Sequence, residues 1–370
     1  MAAGLILVVY LDCQTESLTL TLSHKNIIHA PVPMKLVGPV RIVGDVVNDS
    51  VVLPLATYES PLWPSVARGA RTASRAGGIK ATLIDERMSR SILLEAADAG
   101  CALQAWHGIL ARKEELDTVV RASSRYARLL DMHYQIVGNM LYIRFEFSTG
   151  DASGHNMATL AAERLQQWVL AEYEGLSYVS VSANFCTDKK VSAVNGILGR
   201  GKNVVCELTI PARLCRRYLN TTPEAIVDLN IKKNLIGSLL AGGTRSANAH
   251  FANMLLAFFL ATGQDAANIV EGSQGIVHCE MRAEDLYFSV SIPDLIVGTV
   301  GNGKGLDFVQ ANLRQIGCLD DRPAGQNAAR LAVICAAAVL CGELSLLAAQ
   351  TNPGELVAAH TRLERQHHCL

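Results

Sequence analysis

Residues 141–157 read Leu141-Tyr142-Ile143-Arg144-Phe145-Glu146-Phe147-Ser148-Thr149-Gly150-Asp151-Ala152-Ser153-Gly154-His155-Asn156-Met157, and the apolar residues then continue through Ala161, Leu165, Trp168 and Val169. Leu141, Ile143, Phe145 and Phe147 alternate with Tyr142, Arg144 and Glu146, the period-two pattern of a strand with one buried face. After Gly150-Asp151 the apolar spacing lengthens to that of one helical stripe. A new strand is predicted at Tyr178–Val181, so the unit is strand, tight loop, helix, strand.

The pattern extends outward from this unit in both directions. Upstream, the spacing of Ile92, Leu93, Ala96 and Ala97, and then of Leu110, Leu116, Val119 and Val120, predicts helix from Met88 to about Leu130. Residues 36–58 alternate apolar runs with Gly and Asp turns and predict short strands, with Glu59 just past the last. Downstream, the region from Leu235 onward is rich in Ala, Leu and Gly at helical spacing. It includes Ala328–Ala349, the expected main helical core. The fold class is therefore α+β: a small α+β domain, residues 91–180, inserted into a larger domain made of residues 1–90 and 181–370. No internal repeat or long linker interrupts it.

Composition excludes several classes of function. A chain of 370 residues, 50% apolar and 18% charged, can bury a large core. A net charge of -1 leaves no surplus of Lys and Arg for a nucleic-acid surface, so any phosphate binding must be local. Ten cysteines without a CxxC pair suggest neither a zinc site nor a redox motif, and fit a reduced, cytoplasmic location. Leu5–Tyr10 lacks a basic lead and soon meets Asp12, so it reads as a strand, not a signal peptide. Phe251–Ala261, the most hydrophobic stretch, is shorter than the roughly 20 residues a membrane span needs and reads as a buried helix. No membrane partner is expected. His367 and His368 read as a frayed terminus rather than as metal ligands, and no metal is expected.

Four polar clusters could carry chemistry. Ser148–Met157 lies between a strand and a helix, where backbone N–H groups can cradle phosphate. It is not GxGxxG, which disfavours a Rossmann site, and spacing alone leaves a plain turn equally open. Asn184–Lys190 sets two ammonium groups beside a carboxylate after a buried-looking strand. A solvated charge run is the commoner reading of such a pattern, because only a desolvated lysine becomes a strong electrophilic partner. Asn248–Asn253 and Gly263-Gln264-Asp265, read as one helix, would align His250, Asn253 and Gln264 with Asp265 near the edge, about 22 Å from His250. Burying such a stripe is costly without a role. Gly298–Gly305 is glycine-dense, either for close approach to a ligand or simply as a turn.

In this order the clusters resemble the motif set of the 3-hydroxy-3-methylglutaryl-coenzyme A reductase family, in the form shared by eukaryotes and archaea. The likeness runs from about Pro54 to Arg365, and Cys186-Thr187-Asp188-Lys189-Lys190 and Gly263-Gln264-Asp265-Ala266-Ala267 are nearly verbatim. It implies a large domain around a long central helix with an inserted ferredoxin-like, non-Rossmann dinucleotide-binding domain. The implied activity is NADPH-dependent, two-step reduction of 3-hydroxy-3-methylglutaryl-coenzyme A to mevalonate and free coenzyme A. The implied assembly is a homodimer or homotetramer with its active site at the subunit interface.

The resemblance further implies Glu59 as proton donor, Lys189 as electrophile, and Asp265 hydrogen-bonded to both. His360 would protonate the departing thiolate. Ser65, Arg68, Lys233, His250, Asn253 and Ser345 would surround the acyl and coenzyme A parts. Arg90, Ser182, Asp188 and Lys190 would hold the glutaryl carboxylate region, for which Arg has the right fork geometry. Asp151, Ala152, Ser153, Gly154, His155, Asn156 and Met157 match the dinucleotide loop. Ser124 and Arg125 match residues that meet the 2′-phosphate, which favours NADPH over NADH, and Gly301 and Arg365 complete the cofactor set.

Some positions depart from the family pattern. Ala67 stands for Asn, Asn220 for a Lys near coenzyme A, Ala359 for Ser, and Arg245-Ser246 for two glycines. Gln366 stands where some relatives carry a phosphorylated Ser, so that switch is expected to be missing. Two other readings are an enzyme working oxidatively on mevalonate with NAD and a non-catalytic coenzyme A or nucleotide sensor. A sensor has no need for Glu59, Lys189, Asp265 and His360 together.

Overall fold

The computed structural model describes residues 30–358 and 361. The chain divides after Val32, and the elements below belong to the unit Pro33–Leu370. They are, in order, β1 (Met34–Val43), β2 (Ser50–Ala56), α1 (Leu62–Arg75), β3 (Ile79–Glu95), α2 (Ala99–Ala111), α3 (Lys113–Ser123), β4 (Arg128–Val137), β5 (Met140–Ser148), α4 (His155–Glu172) and β6 (Ser177–Val181). There follow α5 (Ala193–Leu198), β7 (Gly201–Ile210), α6 (Pro223–Leu229), β8 (Ser246–Ala247), α7 (Phe251–Ala261), β9 (Gly275–Arg282), β10 (Asp285–Leu295), α8 (Asp307–Gln315) and α9 (Gln326–Gln350). The leading strand expected at Leu5–Tyr10 lies outside the described residues.

The long strand β3 links two arrangements of a mixed sheet. Its first half pairs antiparallel with β7, which continues through β10, β9 and β8. Its second half pairs antiparallel with β5 and β6, and β4 lies on the far side of β5. Two hydrophobic cores follow. One gathers β1, β2, α1, β7, α7, β9, β10, α8 and α9, and the other gathers the second half of β3, α2–α4, β4 and β5.

The helix expected from Met88 is displaced, because Met88–Glu95 is strand. Ser89 and Ser91 are buried along with Met88 and Ile92, so both faces are covered and the period-two contrast is lost. Helix begins only at Ala99, where the Asp98 carboxylate accepts the Cys101 N–H at 2.7 Å. Strand β5 is where periodicity placed it, but it is not half-buried: Arg144 and Glu146 are both fully buried on the face read as polar. The region after Leu235 is not only helical either, since β9 and β10 form a hairpin between α7 and α8.

Phe251–Ala261 is the buried apolar helix expected, and among the described residues α9 is the one helix long and apolar enough to cross a membrane. Its mean hydropathy of 2.3 over a membrane-length window would suit a bilayer, yet 94% of that window is buried inside the protein. A helix apolar on every side is a core helix when protein surrounds it. Its neighbours approach closely. A Cβ added at Gly69 of α1 would lie 2.0 Å from the Cys341 carbonyl oxygen, and one at Gly342 would lie 2.3 Å from Met254 Sδ of α7.

Candidate active site

The packing of α1 and α7 on α9 opens a cavity of about 460 Å³, lined by Glu59, Ser65, Arg68, His250, Asn253 and Ser345 among others. Ser345 is buried, and its Oγ accepts Arg68 Nε at 3.0 Å and lies 3.0 Å from Ser65 Oγ. Arg68 also donates to the Ser345 carbonyl at 2.5 Å and pairs with Glu355 at 2.6 Å. Glu355 in turn accepts from Asn220 at 3.3 Å, at the position noted above as departing from a family Lys. Glu59 is exposed in the turn before α1, where its carbonyl accepts the Leu62 N–H at 3.0 Å.

A buried carboxylate shapes the start of α7. Glu343 accepts the N–H groups of Ala249 at 2.9 Å and His250 at 2.6 Å, satisfying donors at a helix N-terminus. Burial pushes its pKa up to about 7. His250 Nε2 lies 3.2 Å from the Gly342 carbonyl and Nδ1 lies 3.3 Å from Asn253 Nδ2, which assigns the proton to Nε2. Burial pushes the His250 pKa down to about 4, so the ring is neutral near pH 7. Lys233, on the wide helical turn Asn230–Gly237, lies outside this lining; burial lowers its pKa and Glu343 partly offsets that.

A second cluster centres on Lys189. Its ammonium lies 2.7 Å from Asp265 Oδ2. The hydrogen bond from Lys189 lowers the Asp265 pKa, and the same bond raises that of Lys189, so each group holds the other ionised. Asn184, Thr187 and Lys189 all adopt the left-handed backbone, with φ of 56°, 42° and 57°. Asp188 meets Arg200 at 2.8 Å, Arg90 at 3.4 Å and His155 at 3.7 Å. Burial works to raise the Asp188 pKa, but Arg200, His155 and Arg90 outweigh it and hold the carboxyl below its usual range. Lys190 Nζ donates to the Asp188 carbonyl at 2.9 Å, and Ser182 Oγ accepts the Asn184 N–H at 3.1 Å. The strand before this turn, β6, is largely exposed, contrary to the buried strand expected there.

Nor does one helical stripe carry His250 through Asp265. Helix α7 ends at Ala261, Gly263 is left-handed with φ of 63°, and the Gln264 N–H donates back to the Phe259 carbonyl at 2.9 Å. That is the Schellman stop, which the glycine permits. Gln264 then accepts the Gly298 N–H at 2.9 Å, while Asp265 accepts the Ala267 N–H at 3.0 Å.

The loop before α4 meets the glycine-dense turn. A Cβ at Gly298 would lie 2.4 Å from the Ser153 nitrogen, and Ala152 bridges to Val300. The Asp151 carboxylate is committed elsewhere: it accepts the N–H groups of Gly325 and Ala328 at 2.9 Å each and so caps α9. Gly154, with φ of 95°, opens α4, and His155, Asn156 and Met157 form its first turn. His155 Nε2 lies 3.2 Å from Asn268 Nδ2; burial first, and then Arg200, push its pKa down to about 4. Ser124 Oγ accepts the Tyr126 N–H at 3.2 Å, and a Cβ on Gly150 would lie 3.7 Å from Tyr126 Cβ, so exposed Arg125 neighbours the loop. Gly301 has open space around it. His360, Arg365, Ala359 and Gln366 lie outside the described residues.

Several residues here escaped the sequence reading, namely Arg200, Asn268, Glu271, Glu343 and Glu355. Glu271 and Glu343 carried a usable signal, because a lone carboxylate in an apolar run is expensive to bury without a partner. Among the described residues Asp131, His133 and Glu146 lie close enough to share a cation. Glu146, however, is already taken by Arg87 and, at 3.0 Å, by Arg144, whose positive charges oppose a metal.

A sequence model of hydroxymethylglutaryl-coenzyme A reductase matches residues 15–365. The chain belongs to this family. It is 44% identical over 336 residues to the 3-hydroxy-3-methylglutaryl-coenzyme A reductase of Aeropyrum pernix, covering 90% of this chain and 79% of that one. It is 39% identical over 356 residues to the enzyme of the same name from Methanocaldococcus jannaschii, covering 95% and 86%. Among solved structures it resembles the class II 3-hydroxy-3-methylglutaryl-CoA reductase of Streptococcus pneumoniae bound to NADPH in open conformations. The TM-score is 0.71 at 21% identity, covering 90% of this chain and 79% of that one, a likeness of fold.

Proposed function

We propose that this chain catalyses the NADPH-dependent, two-step reduction of 3-hydroxy-3-methylglutaryl-coenzyme A to mevalonate and free coenzyme A, in the mevalonate route to isoprenoids. The observation that carries this reading is the 2.7 Å pair of Lys189 and Asp265 in a chain of this family. NADPH would supply one hydride each time it binds, so two NADPH taken in turn would provide the two electron pairs that the thioester needs to become an alcohol.

The residues present fit that cofactor. Gly154 begins α4 without a side-chain cap, which leaves first-turn N–H groups available to an anion. Arg125 offers charge for a 2′-phosphate, with Ser124 beside it. We assign residues 91–180 to a small, ferredoxin-like NADP-binding domain and residues 1–90 and 181–370 to the large one around α9. The second core, drawn from β3–β5 and α2–α4, supports that division.

Lys189 then stabilises negative charge on the acyl oxygen, a contribution typically worth about 3–4 kcal/mol for one preorganised donor. Glu59 supplies the proton to that oxygen, and Asp265 keeps Lys189 cationic. His360 hands a proton to the coenzyme A thiolate and prevents its return. Ser65, Arg68, Lys233, His250, Asn253 and Ser345 hold the coenzyme A and acyl portions. Arg90, Ser182, Asp188 and Lys190 hold the glutaryl carboxylate. Gly301 and Arg365 complete the cofactor set.

Glu59 lines the α1–α7–α9 cavity, while Lys189 and Asp265 lie outside that lining. This supports a homodimer, or a homotetramer, in which one subunit's cavity faces its partner's lysine. The exposed Ile231, Leu235, Ile236, Leu239 and Leu240 form an apolar surface suited to such an interface. The eight cysteines of the described region are free, which supports a cytoplasmic location. The test is spectrophotometric: NADPH loss with the thioester should run at two equivalents per thiol released and stop in Lys189→Ala. Absence of NADPH loss, or a preference for NADH, overturns the assignment.

A further inference from the structure

The turn that carries Lys189 is held by a buried side chain that no proton or charge task in the reaction requires. Glu271 sits just after Asp265 in the chain, fully buried, in the short helix Ile269–Gly272. One carboxylate oxygen accepts the backbone N–H of Lys189 at 2.9 Å and the Arg200 guanidinium at 2.5 Å. Arg200 uses its other nitrogen on Asp188 at 2.8 Å. The second oxygen of Glu271 accepts Asn268 Nδ2 at 2.8 Å. The same amide nitrogen lies 3.2 Å from His155 Nε2, in the first turn of α4 behind the dinucleotide loop. Three turn residues without glycine's freedom hold left-handed φ values, a conformation that persists only where surroundings over-determine it. Gln274 adds a further tether by accepting the Ser192 N–H at 3.2 Å.

We infer that Asn268 and Glu271 couple the dinucleotide loop to the backbone conformation of Lys189, with Glu271 acting as a positioning residue for the reduction. This rests on the activity proposed above. The chain of contacts runs from His155 through the Asn268 amide to Glu271, and from Glu271 to the Lys189 N–H and, by way of Arg200, to Asp188. A dinucleotide that orders the first turn of α4 fixes His155, and through it the lysine turn, before charge builds on the acyl oxygen. Asn268 needs both amide hydrogens for this, one for each partner, so His155 Nε2 must act as acceptor.

The experiment compares wild type, Glu271→Gln and Asn268→Ala as intact full-length proteins. It uses steady-state kinetics, NADPH fluorescence titration and amide hydrogen exchange of the peptide covering residues 184–192. In Glu271→Gln we expect kcat to fall at least roughly tenfold while the Michaelis constant for the thioester and the NADPH dissociation constant stay within about threefold. The 184–192 amides should exchange faster than in wild type even without ligand. In wild type, NADPH should slow exchange across 184–192, and in Asn268→Ala it should bind without doing so. A Glu271→Gln enzyme with kcat within about twofold of wild type, or ligand protection of 184–192 that persists in Asn268→Ala, overturns the inference. If Glu271→Gln does not fold, Asn268→Ala and the exchange measurement decide it. A wild type that never oxidises NADPH defeats the activity reading, yet the ligand-free exchange comparison still reports whether Glu271 sets the turn.

Discussion

The cavity on α9 and the turn around Lys189 obtain their geometry in opposite ways. The cavity is built by helices pressed together at small residues: Gly69 against Cys341 and Gly342 against Met254 leave no room for a methyl group. Its polar groups ride on a rigid scaffold, as Ser345 does when it ties Ser65 to Arg68. The lysine turn has little apolar packing of its own and is fixed by charges and backbone N–H groups, with Glu271, Arg200, Asp188 and Asp265 as its frame. Damage to the first should therefore appear as lost stability or lost substrate grip, and damage to the second as lost turnover.

The largest effect that would test this contrast is at Lys189. Lys189→Ala should lower kcat by about 10³, the upper range for one lost oxyanion partner, with little change in the urea midpoint, because the pair with Asp265 is half exposed. A fall in stability comparable to the fall in turnover would erase the distinction. On the cavity side, Gly69→Ala should cost about 3 kcal/mol of unfolding free energy, since its methyl would meet the Cys341 carbonyl, which belongs to backbone and cannot swing aside. Urea denaturation measures it, and a neutral result would show that α1 and α9 can separate freely.

A smaller effect comes from pH. His155 titrates near 4 in the fold and near 6.5 when unfolded, so between those values the unfolded chain binds more protons and stability falls as pH falls. This contribution is complete above about pH 6.5 and at pH 5 has dropped by about 2 kcal/mol. Buried Glu343 and Asp294, both pushed up to about 7 by burial, run the other way, losing stability as pH rises toward 7. The difference between wild type and His155→Gln, measured at pH 7 and pH 5, therefore isolates the histidine. An unchanged difference would mean the ring is solvated. The smallest expected effect is Ser345→Ala, which removes one acceptor from Arg68 and should raise the Michaelis constant for the thioester about fivefold, near 1 kcal/mol, at unchanged kcat.

The parts of the fold visible in the sequence are those with a local cause. The alternation of Leu141–Phe147 and the helical stripe behind it are written in consecutive residues. Met88–Glu95 misled because a strand covered on both faces has no polar side to alternate with. The polar stripe from His250 to Asp265 misled because one left-handed glycine outweighs eleven residues of helical spacing. The candidate residues of both clusters were named from motifs, but Glu271, Arg200 and Asn268 belong to no motif. Glu271 left only the hint of a lone carboxylate in an apolar run, and Arg200 and Asn268 are distinguished by their burial beside it.

The order of residues alone determined the strand Leu141–Phe147, the helical stripe that follows it and the family to which the chain belongs, because these depend on patterns and motifs of neighbouring residues. Tertiary structure decided which charges lose their water. It pairs Lys189 with Asp265, 76 positions away, at a half-exposed site, and it buries Arg144 and Glu146 fully although they alternate like surface residues. The physical reason is that desolvation is imposed by distant segments folding over a group, and no local pattern records which segments those are.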